Sequence, residues 1–133
     1  MARGFEVVLV TPEREVWSGE ATLVVARGTE GEIGIMAGHA PTLIQLGIVP
    51  LFIQTEAERL AAAVDGGFLH VMSSEGDSRV DILAEHAELD KEIDVEKARR
   101  LKEDAERRLR EQDNAEAIAD VAKAVTRLDL KRS

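Results

Sequence analysis

In the first part of the chain, apolar residues come in short runs broken by turn residues. Phe5-Glu6-Val7-Val8-Leu9-Val10 is rich in β-branched residues and stops at Thr11-Pro12, which predicts a strand ended by a turn. Short strands follow at Arg14 to Trp17, closed by Ser18-Gly19, and at Thr22 to Ala26, closed by Gly28. Further strands are predicted at Leu43 to Leu46, Ile48 to Thr55, Leu60 to Val64 and Phe68 to Met72. Arg79-Val80-Asp81-Ile82 alternates polar and apolar, the period of a half-buried strand, and Glu75-Gly76-Asp77 before it reads as a hairpin tip. Turn signals recurring roughly every 8–12 residues predict an all-β N-terminal sandwich of two packed sheets and about ten short strands, over roughly residues 3–85.

After Glu85 the period changes to that of a helix. Ala98, Leu101, Ala105 and Leu109 form one series, and Ala117, Val121, Ala124 and Leu128 a second, flanked by Ile118, Ala122 and Val125. A C-terminal α-helical hairpin follows. Asp94 is placed to cap the first helix. Asp113-Asn114-Ala115-Glu116 has the layout of a capping box for the second, with Asp113 as the cap. Closing the hairpin is expected to bury Leu101, Leu109, Ile118, Val121, Val125 and Leu128. The break at Gln112-Asp113-Asn114 contains no glycine or proline, and Asp and Asn disfavour a helix interior by only about 0.7 kcal/mol each. The tail is therefore expected to be bistable, either folded as a hairpin or opened into a longer helix.

Composition sharpens the division. All ten glycines and all three prolines lie before residue 77, as do all four aromatic residues, Phe5, Trp17, Phe52 and Phe68. Two units are expected, residues 1–88 and 89–133. The first 89 residues hold five arginines against fourteen carboxylates, which accounts for the whole net charge of −9. An acidic body argues against nucleic-acid binding, whose affinity comes from neutralising phosphates. The tail is neutral but charge-dense: Arg99, Arg100, Lys102, Arg107, Arg108 and Arg110 crowd one stretch, readable as a solvated face paired through Glu103–Arg107 and Glu106–Arg110 or as a contact for an acidic protein. No apolar run reaches the roughly 18 residues of a membrane span, so no direct insertion is expected. Acidic residues in the first twenty positions argue against a signal or transit peptide.

Catalytic chemistry finds little support. Without cysteine there is no thiolate nucleophile or thiolate metal site. His39, His70 and His86 have no partner at metal-ligand spacing, and neither a nucleophile elbow nor a phosphate loop is present. No catalytic or metal residue is assigned.

The distinctive strings are Gly31-Glu32-Ile33-Gly34-Ile35-Met36-Ala37-Gly38-His39-Ala40-Pro41, read as a glycine-rich connection, and Val64-Asp65-Gly66-Gly67-Phe68-Leu69-His70-Val71, whose paired glycines are read as a tight turn entering a strand. Ile82-Leu83-Ala84-Glu85-His86-Ala87-Glu88 closes the β part. With Val10-Thr11-Pro12, Val16-Trp17-Ser18-Gly19 and the helical tail after Ile93-Asp94, these resemble the epsilon subunits of bacterial F-type ATP synthases over nearly the whole chain.

The resemblance implies a non-catalytic central-stalk subunit of the proton-translocating enzyme, peripheral to the cytoplasmic face of the inner membrane. Its sandwich would bind the gamma subunit and the polar loops of the c-ring, with Glu32, Gly38 and His39 near those contacts. Its tail would inhibit ATP hydrolysis by reaching the alpha and beta subunits of the catalytic head, carrying the arginine-rich stretch with it. Some relatives bind ATP through an [IL]-D-x-x-R-A motif. Here the motif reads Ile93-Asp94-Val95-Glu96-Lys97-Ala98, with lysine in place of arginine, Glu88 at an adenine-side position and Lys123 and Arg127 as the distal cations. Lysine lacks the planar fork of arginine, so ATP is implied only as a weak regulatory ligand and no cofactor is required. The alternative is a free-standing β-sandwich adaptor with a helical interaction tail, although the Leu/Ala seam runs under three heptads, short for a coiled coil. A small enzyme built on His39 is a third.

Overall fold

The computed structural model describes residues 3–28 and 31–132. Eight strands come first: β1 (Phe5–Val10), β2 (Glu15–Ala21), β3 (Leu23–Gly28), β4 (Gly31–Ile35), β5 (Thr42–Gln54), β6 (Arg59–Ser74), β7 (Asp77–Ala84) and β8 (Ala87–Leu89). A single 3-10 turn at Asp90–Glu92 leads to two helices, α1 (Val95–Glu111) and α2 (Ala115–Arg132). The strands form one hydrogen-bonded path, β2-β1-β7-β6-β5-β3-β4, with β8 beside β6. β1 runs parallel to β7, and the other pairs are antiparallel.

That path folds over on itself to make the expected sandwich. The second half of β6, from Gly67, pairs with β7, while its first half pairs with β8. Likewise β5 pairs with β3 only through Leu51 to Gln54. Two five-stranded layers result, and the two long strands serve both. Phe5, Val7 and Leu9 of β1 point inward at alternate positions, as do Val80 and Ile82 of β7. They meet Val24, Leu51, Ile53, Ala62 and Val64 of the other layer in one continuous core.

The described residues thus hold eight strands rather than about ten: four predicted segments join into β5 and β6, while β4 and β8 lie outside the predicted segments. The glycines that suggested a turn at 66–67 lie inside β6. Gly66 and Gly67 have φ of 81° and 135°, so they kink the strand without ending it. A Cβ at position 67 would stand 2.1 Å from the Leu83 carbonyl oxygen. At the kink β6 passes from β8 to β7, and opposite it Glu85 and His86 carry the partner strand from β7 to β8. The glycine-rich string at 31–35 is likewise a strand, β4, paired along β3; alternation with isoleucine supplies its pattern. Two-residue turn chemistry closes β6 to β7: Ser74 pairs with Asp77, and Glu75 and Gly76 both have positive φ.

Asp94 caps α1 as expected, its Oδ1 accepting from the Lys97 N–H at 3.1 Å. The cap of α2 is Asn114 rather than Asp113. Its Oδ1 accepts from Glu116 and Ala117 N–H at 2.9 and 3.2 Å, which places the first helical residue at Ala115. The hairpin seam also differs from expectation. Ala98, Ala105, Ala117 and Ala124 are fully buried, whereas Leu101, Leu109, Val121, Val125 and Leu128 are half-buried and Ile118 is 58% exposed. Methyl groups let two helices approach closely, so the larger side chains are pushed to the flanks. α1 packs on α2, and α2 lies across β5 and β6.

Candidate functional site

The outer face of β6 explains where α2 rests. Leu60, Ala62 and Val64 point into the core, so Ala61, Ala63 and Asp65 face outward under the helix. Ala63 pairs in register with Glu88 of β8, which puts that carboxylate on the same face. Leu130 of α2 and Ile93 of the linker cover Ala63, with Phe52 and Ala61 at the edge. One turn earlier on α2, Arg127 enters between the two carboxylates. Its Nη1 and Nη2 donate to Asp65 at 2.9 and 2.8 Å, and its Nε donates to Glu88 at 2.6 Å. Asp65 is only 5% exposed. Burial by itself would lower the Arg127 pKa, but the hydrogen bonds and charge of Asp65 and Glu88 outweigh it and raise the value. Removing either partner would leave a buried charge poorly compensated.

The linker is fastened by a second ion pair. Arg14, in the turn between β1 and β2, donates from Nη1 and Nη2 to Glu92 at 2.9 and 3.0 Å. Glu92 also accepts from the Leu89 N–H at 2.8 Å. The Arg14 and Leu89 hydrogen bonds hold the Glu92 carboxyl below the usual range, against partial burial.

Between hairpin and sandwich lies a cleft of about 790 Å³. Glu88, Asp94, Lys97, Lys123 and Arg127, the five candidate nucleotide ligands, all line it, with Arg14 and Arg100 adding positive charge. Sequence reasoning assembled these five but missed Asp65. The Asp65-Gly66-Gly67 string was visible, yet only the kinked strand shows that its carboxylate faces α2.

The remaining candidates are spread out. Glu32, on edge strand β4, forms an ion pair with Arg27 at 2.7 Å. Gly38 and His39 belong to the turn after β4, where the Gly38 N–H donates to Ser78 Oγ at 2.9 Å and His39 Nδ1–H donates to the Ala40 carbonyl at 2.8 Å. Of the tail cations, Arg99 and Arg107 are exposed and paired with Glu96 and Asp104. Arg107 thus takes Asp104 in place of the expected Glu103, and among the described ion pairs the expected Glu106–Arg110 pair is not formed. Arg108 turns inward instead and bridges the helices to Asp120 at 2.8 Å. Arg110 and Arg100 are exposed and Lys102 half-buried.

One sandwich face carries an exposed apolar strip beside the charged Glu6, Arg79 and Asp81. Val10, Leu83 and Phe68 are register neighbours on three adjacent strands. Leu43, on the same layer, is 66% exposed, Leu83 53% and Phe68 46%. Among the described residues no group of His, Asp and Glu is placed to hold a metal ion, and no helix is long and apolar enough to cross a membrane.

Comparison with known proteins adds a family likeness. The family described as ATP synthase, Delta/Epsilon chain, beta-sandwich domain matches residues 4–90. The ATP synthase epsilon chain of Thermobifida fusca is 49% identical over 125 residues, 92% of this chain and 88% of that protein. The epsilon chain of Brevibacillus brevis is 51% identical over 106 residues, covering 79% and 77%. Among solved structures, a chain of the Euglena gracilis mitochondrial ATP synthase, seen with its F1 and c-ring, superimposes with a TM-score of 0.78 at 26% identity. The match covers 98% of this chain and 82% of that one.

Proposed function

The chain belongs to the ATP synthase epsilon-chain family, and from that premise we propose that it is a non-catalytic rotor subunit with a separable regulatory tail. The sandwich docks on the gamma subunit and on the polar loops of the c-ring, and so couples ring rotation to the catalytic head. The hairpin, when released, extends toward the alpha and beta subunits and slows ATP hydrolysis. The subunit itself needs no cofactor and sits peripherally at the cytoplasmic face of the membrane.

The observation that carries this reading is the separation of two apolar clusters. The sandwich core is closed without help from the helices, and α2 rests on a different, smaller patch. The hairpin can therefore leave without opening the core. The strip of Leu43, Phe68 and Leu83 supports the docking half, since exposed apolar side chains gathered on one face of an acidic body mark a protein contact. Glu32, Gly38 and His39 lie on the β4 edge and the turn that follows it, and are assigned to the ring and gamma contact. The exposed cations Arg99, Arg100, Arg107 and Arg110 and the half-buried Lys102 are assigned to the head contact; Arg108, engaged with Asp120, would have to be freed first.

Pull-down with the cognate gamma subunit tests the docking. Capture should be strong for the full chain and fall at least roughly tenfold for Phe68→Asp, which places a charge in a desolvated contact. Equal capture of the two would contradict this docking face.

A second reading is favoured by the convergence of Glu88, Asp94, Lys97 and Lys123 around the cleft, which would hold ATP weakly. Arg127 is already committed to two carboxylates, which limits its share in holding phosphate. Calorimetric titration with ATP and Mg²⁺ should give small heats that vanish in Lys97→Ala; no heat at millimolar nucleotide would end this reading.

A further inference from the structure

We propose that Arg127 is the release point of the hairpin, and that the linker stays fastened to the sandwich when the helices leave. The inference rests on the reading above that the tail is releasable. Among the described ion pairs, those from Arg127 to Asp65 and Glu88 are the ones that join a helix to a strand. The apolar contact beside them is small: Leu130 and Ile93 cover one alanine, with Phe52 and Ala61 at the edge. Alanine offers little area to bury, so that contact gives a modest hold. α1 reaches the sandwich chiefly by way of α2. An exposed tie also runs from Lys131 Nζ to the Asp90 carbonyl at 3.1 Å, so it is the buried polar hold that is concentrated on one guanidinium.

The geometry makes this latch selective for register. The kink at Gly66-Gly67 carries β6 from β8 over to β7 just after Asp65, and the Ala63–Glu88 pairing sets the second carboxylate on the same face. A guanidinium must arrive between them in one plane to reach both, and sliding α2 by one residue rotates Arg127 out of that slot by about 100°. The helix is then either seated with all three bonds or released from them together.

The linker follows different bonds. Glu92 is clasped by Arg14 and by the Leu89 N–H, neither of which involves α1 or α2. Ile93 and Asp94 beyond it have extended backbone, with ψ of 123° and 105°. They are the last residues before α1; Ile93 loses its Leu130 cover when α2 leaves, and this pair is the pivot.

Amide hydrogen exchange on the full-length chain tests both parts. Asp65→Asn and Arg127→Gln should each speed exchange across α2 by at least roughly tenfold, the effect of stripping a partner from a buried charge, while β1 and β7 keep their protection. Glu92→Gln should speed exchange at Leu89 to Glu92 and leave α2 as it was. Unchanged α2 exchange in the Asp65 and Arg127 variants overturns the release point. Loosening of α2 by Glu92→Gln to the same degree overturns the separate fastening. Should Asp65→Asn disturb β1 or β7, Arg127→Gln decides alone, because its side chain lies outside the sandwich core. In the assembled enzyme Arg127→Gln should slow ATP hydrolysis several-fold. Faster α2 exchange with unaltered hydrolysis would keep the latch and reject the inhibitory tail.

Discussion

Ala124→Leu should loosen the hairpin and spare the sandwich. Ala124, Ala105 and Ala117 are 0% exposed, and Ala98 on the same seam is 3% exposed. The two helices meet over methyl groups, and three additional carbons have no space unless the helices separate. Overpacking of this kind destabilises by about 1–3 kcal/mol. At roughly 4 °C per kcal/mol for a chain of this size, the helical transition should fall by about 4–12 °C. Two probes separate the parts. Far-ultraviolet circular dichroism is dominated by the helices, and Trp17, the single tryptophan, reports from β2 in the sandwich. The helical signal should melt earlier in the variant while the Trp17 fluorescence transition stays in place. Ile118→Ala provides the contrast, since a 58% exposed side chain should change stability by no more than about 0.5 kcal/mol. Unchanged helical melting in Ala124→Leu, or a larger loss in Ile118→Ala, would refute the alanine seam.

Three other outcomes follow from local geometry. Gly67→Ala should abolish soluble expression or cost several kcal/mol, because its Cβ would collide with the Leu83 carbonyl at a backbone φ of 135°; urea unfolding of any soluble fraction checks this. Asn114→Ala should destabilise α2 by about 1 kcal/mol and Asp113→Ala by much less, measurable as fraying of the first turn in exchange. Glu92 carries the pH dependence of the linker. Its folded pKa is depressed, so the clasp contributes fully above the ordinary glutamate value of about 4.3 and is lost as the pH falls through the lower folded value. Carboxyl NMR titration should find that midpoint low in the wild type and higher in Arg14→Leu.

The fold was largely legible because strand and helix periods differ and because turn residues are confined to the first part of the chain. β1 matched from Phe5 to Val10 and the hairpin tip at Glu75-Gly76 fell where expected, since both depend on local pattern. The merging of β5 and of β6 was hidden. A Gly-Gly pair in sequence looks the same whether it ends a strand or kinks it, and the difference lies in the β7–β8 crossover packed against it. β4 escaped notice because glycine occupies two of its five positions. The cleft residues were legible through the resemblance of the Ile93-Asp94 motif. Asp65 and the Arg14–Glu92 clasp were not, since each joins positions far apart in the chain. Alanine at the seam reads as helix-forming filler until the distance between helices is known.

In the function proposed above, a closed sandwich docks on the rotor while a releasable hairpin restrains the motor. The most direct measurement is the ATP hydrolysis rate of the assembled enzyme carrying either the full chain or a chain cut after residue 89, with bound subunit quantified in both. Equal incorporation and a severalfold faster rate with the shortened chain is the predicted result. Equal incorporation with equal rates would contradict the restraint, and loss of incorporation on shortening would contradict a sandwich that docks alone.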